Sequence, residues 1–225
     1  MKTMFRSAAL TLVMLAGVAA VATAATPAAK GPVNGVARLM DGNVRYTSGK
    51  AKHPNQDRVR LTEVAKGQSP FAIVVSCSDS RVPPEVVFDQ GLGDIFVVRT
   101  AGHVVDPVAM GSIEFAVAKL GARSILVVGH ERCGAVEAAL EHTTVPGSIG
   151  SILKAIQPAV GGPEKATASA MDKAVQLNVS AVTKQLRDAS PILAPMVKDG
   201  SLEVAGGVYD LDTGKVTAVA AGSVK

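Results

Sequence analysis

Apolar and polar positions change their spacing several times along this chain of 225 residues. From Val36 to Tyr46 and from Arg58 to Lys66 apolar residues recur at helical intervals, which predicts two helices ahead of the first strand. Three short apolar, β-branched runs follow: Phe71 to Ser76, Ile95 to Arg99 and Ser124 to Gly129. Turn residues and a helical pattern from Ser112 to Leu120 separate them. Runs that are apolar throughout belong to strands buried on both faces, so the alternation predicts an α/β fold: a mainly parallel β-sheet flanked by helices, with an N-terminal helical arm. Beyond them, Glu164 to Ala189 reads as one long helix and Pro191 to Lys198 as a Pro-punctuated segment. Leu202 to Tyr209 and Lys215 to Ala221 read as a hairpin turning at Asp212-Thr213-Gly214. No internal repeat is visible, and Pro146-Gly147 and Gly161-Gly162-Pro163 read as loops rather than domain linkers.

Composition narrows the class. With 48% hydrophobic and 19% charged residues the chain can build one sizeable core. Aromatic residues make up only 3% and Trp is absent, which leaves few platforms for stacking bases and argues against nucleic acid as a partner. Lys2 and Arg6, the apolar run Ala8 to Ala22 and the small-residue pattern Ala22-Thr23-Ala24 follow the order of a secretory signal peptide cleaved after Ala24. The expected organisation is therefore 1–24 signal peptide, 25–34 flexible segment and 35–225 a single domain, periplasmic or secreted, with no membrane attachment after cleavage. Losing Lys2 and Arg6 lowers the formal charge from +4 to +2, too mild for an anionic polymer or membrane surface.

Export changes how the two cysteines are read, because oxidising compartments favour disulfides. The residues around them favour another use. In Cys77-Ser78-Asp79-Ser80-Arg81, an extended chain puts Cys77, Asp79 and Arg81 on one side, where Arg81 can hold the Asp79 carboxylate by paired, charge-assisted hydrogen bonds. In His130-Glu131-Arg132-Cys133-Gly134, the i, i+3 spacing brings imidazole and thiolate together if the chain is entering a helix. Both groups directly follow apolar runs, the end of a parallel sheet where ligands bind. Two sulfurs and one nitrogen suit zinc and leave a position for water. Spacing alone leaves three readings open: catalytic zinc, structural zinc completed by Asp79, or a disulfide.

These loops resemble the signatures of β-class carbonic anhydrases, a Cys-x-Asp-Ser-Arg strand end and a His-x-x-Cys-Gly helix start. The resemblance runs from Leu39-Met40-Asp41-Gly42-Asn43, through Gly91-Leu92-Gly93-Asp94 and Val97-Val98-Arg99, to Gly207-Val208-Tyr209-Asp210. It implies zinc-dependent, reversible hydration of carbon dioxide to bicarbonate and a proton, with Cys77, His130 and Cys133 binding Zn²⁺. It further implies Asp79 and Arg81 as the catalytic dyad, Asp79 being a possible fourth ligand in a closed state. Gln68, Phe96 and Phe115 are implied as substrate-binding groups, Gln68 from a neighbouring subunit, in a homodimer or dimer-based tetramer; the amide of Gly134, directly after Cys133, can stabilise the product oxygens as charge develops. Related hydrolases of carbonyl sulfide or carbon disulfide, and a non-catalytic exported protein held by zinc or a disulfide, are the alternatives. Some bacterial relatives bind inhibitory bicarbonate beside a Trp three residues before the first zinc cysteine; Val74 stands there, which implies an unregulated type. Thr100 and His103 depart from the Asn residues many relatives carry. His53, His103 and His142 can pass protons to buffer, since imidazole titrates near neutrality, although each reads first as a surface or loop histidine. Gly91-Leu92-Gly93 lacks the third glycine of a dinucleotide fingerprint and reads as a turn.

Overall fold

The computed structural model describes residues 33–219; the expected signal peptide lies outside the described residues. Helices α1 (Gly35–Thr47) and α2 (Arg58–Val64) precede β1 (Ala72–Cys77), as the periodicity predicts. Next come α3 (Pro84–Val87), β2 (Ile95–Thr100), a 3₁₀ turn at Ala101–His103, α4 (Pro107–Ala118) and β3 (Ser124–His130). The rest is α5 (Gly134–Leu140), α6 (Ile149–Val160), α7 (Ala168–Asp188), α8 (Leu193–Lys198), β4 (Glu203–Tyr209) and β5 (Val216–Val219).

The sheet runs β2-β1-β3-β4-β5, parallel except for the terminal β4–β5 hairpin. Successive side chains on a strand point to opposite faces, so each buried strand feeds two cores. Val74, Leu126 and Val128 meet Leu39 of α1, Leu140 of α5 and Ile156 of α6 on one face. Ile73, Val75, Ile125 and Val127 meet Ile113 of α4, Leu186 of α7 and Leu193 of α8 on the other. Each such side chain contributes about 1.5–3 kcal/mol by leaving water, which is why β1 and β3 could be read as apolar runs.

Helix ends depart from the sequence pattern for local reasons. Helix α4 starts at Pro107 rather than Ser112: Asp106 caps it by accepting from Ala109 N at 2.8 Å, and Pro is suited to its first position. Helix α6 carried no expectation, because breaker clusters bracket it and Pro158 lies within it. Leu153, Ile156 and Val160 nevertheless form its buried face. The Pro-punctuated segment holds α8.

Two features place the site. β1 and β3 are adjacent and parallel, Ser76 pairing with Val128, so Cys77 and His130 close neighbouring strands at the same carboxyl end of the sheet. Gly129, just before His130, lets α7 close over the sheet, since a Cβ there would stand 2.6 Å from a Val179 methyl.

Candidate metal centre

After His130 the chain turns through Arg132, at φ 51°, and enters α5 with Cys133 at the N-cap. Cys77, His130 and Cys133 are all buried, and one ligand-type atom of each lies within 4.8 Å of the others. Both cysteines are free thiols. His130 Nδ1 donates to the Glu131 carbonyl at 2.8 Å, which fixes the tautomer and leaves Nε2 with its lone pair. Nε2 is buried without a hydrogen-bond partner, a costly state for a polar atom unless something binds it.

The sulfurs point the same way. Hydrogen bonding from Cys133 pulls the Cys77 thiol far below its ordinary range, with backbone N–H groups of Asp79 and Gly102 adding to it against opposing burial. The proton shared with Cys77, together with burial, pushes Cys133 up. The two sulfurs thus lie close enough for one to hydrogen-bond the other. A dication taking both sulfurs and Nε2 would replace the shared proton and satisfy the nitrogen, so these residues fit zinc.

Beside them, Arg81 grips Asp79 with Nε on Oδ1 at 2.9 Å and Nη2 on Oδ2 at 2.7 Å, while its backbone N–H reaches Oδ1 at 2.9 Å. The guanidinium holds the Asp79 carboxyl well below the usual carboxylate range. Asp79 Oδ2 lies 3.8 Å from His130 Nε2, so the carboxylate sits beside that group while Arg81 holds it.

The supports come from distant segments. Arg99 of β2 donates to the carbonyls of Cys77 (2.9 Å) and Asp79 (2.6 Å), bracketing the loop. Gly102 N–H reaches Cys77 Sγ at 3.3 Å. On the other side Arg132 makes two 2.9 Å bonds to Asp212, and Glu131 accepts from Leu211 N, tying the His130–Cys133 turn to the β4–β5 hairpin. Glu131, Asp210 and Asp212 form a second acidic group, but Arg132 and the N–H groups of Leu211, Asp212 and Thr213 already engage its oxygens. Sequence reasoning assigned no role to Arg99 or Gly102. A lone cation ending an apolar strand was the available signal for Arg99.

Of the expected substrate-binding residues, Gly134 lies at the site, while Gln68, Phe96 and Phe115 fall elsewhere in one protomer. Gly134 opens α5 next to Cys133. Gln68 is exposed before the amino end of β1, and Phe96 pairs with Ile73, four residues before the Cys77–Thr100 pair that ends both strands. At roughly 3.3 Å per residue that is about 13 Å from the site. Phe115 is 50% exposed on α4. His53 and His142 are exposed, but His103 corrects the surface reading: it is 1% exposed, and burial lowers its pKa to about 4. It has no path to buffer of its own.

The family model described as Carbonic anhydrase matches residues 72–216. The chain is 40% identical over 188 residues to Carbonic anhydrase 2 of Mycobacterium tuberculosis, covering 82% of this chain and 91% of that one. It is 41% identical over 189 residues to a carbonic anhydrase of Mycolicibacterium smegmatis, covering 82% and 92%. Among solved structures it is similar to the Coccomyxa β-carbonic anhydrase in complex with acetazolamide, at TM-score 0.65 and 31% identity over 82% of this chain and 86% of that one. A tetrameric β-carbonic anhydrase of Sordaria macrospora matches at TM-score 0.66 and 26% identity, over 83% and 97%.

Proposed function

The chain belongs to the β-class carbonic anhydrase family, and on that premise we propose that it hydrates carbon dioxide reversibly, with Zn²⁺ held by Cys77, His130 and Cys133. The observation that carries this reading is the partnerless Nε2 of His130 converging with two unbridged thiols beside a carboxylate held by Arg81. Bound there, zinc supplies a Lewis acid that makes water nucleophilic near neutral pH.

The chain's own groups do the rest. Asp79, kept ionised by Arg81, accepts the nucleophile's hydrogen at a carboxylate oxygen and turns an oxygen lone pair toward the carbon of carbon dioxide. Arg81 also prevents Asp79 from occupying the open position. The Gly134 amide, and Gln68 of a neighbouring copy, stabilise the bicarbonate oxygens as charge develops.

A dimer-based assembly completes the site. In support, β2 is an edge strand with all six residues partly exposed, and α2 buries no residue. Val59 is 78% exposed, and α4 carries Val108 and Phe115 outward. Export to the periplasm or beyond rests on the leader pattern before residue 25. An unbraked site rests on Val74: the void it lines with Ser76, Phe88 and Tyr209 holds about 10 Å³, room for no more than one water.

X-ray absorption at the zinc edge tests the ligand set. Two sulfurs and one imidazole nitrogen per zinc are expected; a Cys77–Cys133 disulfide in active, freshly isolated protein would contradict it.

A further inference from the structure

The site's two thiolates raise a chemical problem: together they cancel the formal charge of a divalent ion and weaken it as a Lewis acid, so something must withdraw charge from sulfur. The N–H of Gly102 on Cys77 Sγ does so at 3.3 Å. It depends on an unusual turn. Gly102 has φ 62° and His103 φ 46°, two successive residues in the left-handed region, which is costly for a histidine.

Helix α7 holds that turn. The buried Nδ2 of Asn178 donates to the Gly102 carbonyl at 3.0 Å and to His103 Nε2 at 3.0 Å, using both its hydrogens. Burial keeps His103 neutral and therefore able to accept. Packing also confines the turn, because a Cβ on Gly102 would stand 2.6 Å from Ile156 Cδ1 and 3.2 Å from Ala135 Cβ.

We propose that Asn178 is a positioning residue of the metal centre: by tying Gly102 and His103 to α7, it holds the Gly102 N–H on the Cys77 sulfur and so tunes the bound ion. This gives His103 a role as Asn178's acceptor. Hydrogen bonds to ligating sulfur adjust the electronics of metal sites, and groups that orient ligands govern metal affinity.

The inference rests on metal ligation by Cys77, His130 and Cys133, and cobalt-substituted protein separates the two claims. Wild-type protein showing no thiolate-to-cobalt charge-transfer bands would sink the ligand set itself. With those bands present, Asn178→Leu is expected to move them to longer wavelength, because a sulfur without its hydrogen bond gives up charge more easily. It is also expected to weaken metal retention against a chelator about 10-fold or more. Asn178→Ser, too short to reach either acceptor and less disruptive to pack, is expected to act the same way and serves should the Leu variant not fold. A purely structural Asn178 would lower the melting temperature alone. Unchanged bands and release rates in either folded, loaded variant would overturn the proposal.

Discussion

Replacing Arg81 by Ala removes two of the three N–H groups on Asp79, those at 2.9 and 2.7 Å, while the backbone N–H on Oδ1 persists because alanine also supplies it. Oδ2 already lies 3.8 Å from His130 Nε2, so on the proposed zinc site the freed carboxylate would be near enough to bind the ion in place of water. No ligand is touched, and zinc should stay near one per chain. A positioned proton acceptor contributes roughly 10²–10⁴ in rate, and with one contact surviving the expected loss in kcat/KM is at the lower end, about 10²-fold. Asp79→Asn provides the control: it keeps the shape, carries no charge to draw it onto the metal, and should lose rate while leaving the position open. Stopped-flow hydration with metal quantified on the same samples reads rate. Azide binding to the cobalt forms reads the open position, which should be blocked in Arg81→Ala and accessible in Asp79→Asn. Rates near wild type in both variants, with zinc bound, would refute a catalytic role for the pair.

Asn43 is buried and joins three segments: its Nδ2 donates to Val87 O (3.1 Å) and Gly214 O (2.8 Å), and its Oδ1 accepts from Val216 N (2.9 Å). Asn43→Leu leaves those three groups unpaired at about 1–3 kcal/mol each, so urea unfolding should show a loss of roughly 4 kcal/mol; one below about 1 kcal/mol, within the range of ordinary surface changes, contradicts the bridging role. His103 titrates at about 4 when folded against 6.5 in the free side chain. The unfolded chain therefore takes up the proton first, and stability is full above pH 6.5 and falls toward pH 4 by up to about 3 kcal/mol. Metal-free protein should show that slope and His103→Asn should flatten it; identical curves would refute it. Sedimentation should find at least a dimer, and a fully active monomer at assay concentration would contradict the shared site.

The grouping of Cys77, His130 and Cys133 was legible because the spacing within each of their two loops is local. Cys77, Asp79 and Arg81 are spaced by two, His130 and Cys133 by three, and each group follows an apolar run that the structure makes a strand. The Asp79–Arg81 pair forms as the spacing implied. What tunes the site was not legible. Arg99 and Gly102 reach Cys77 from β2 and the turn after it, and Asn178 reaches that turn from α7. No short-range pattern marks a contact between segments so far apart in the chain. His103 misled because a histidine beside a glycine reads as loop, whereas α7 buries it. Helix α6 was hidden by the breakers around it, although its inward face follows the helical period.

Stopped-flow carbon dioxide hydration during zinc titration of the metal-stripped protein tests the central claim most directly. The rate should rise in proportion to zinc and level off at one ion per chain, with Cys77→Ser and His130→Ala failing to recover it. Hydration that is full before zinc is added, or absent with one zinc bound through the two cysteines and His130, would contradict the account.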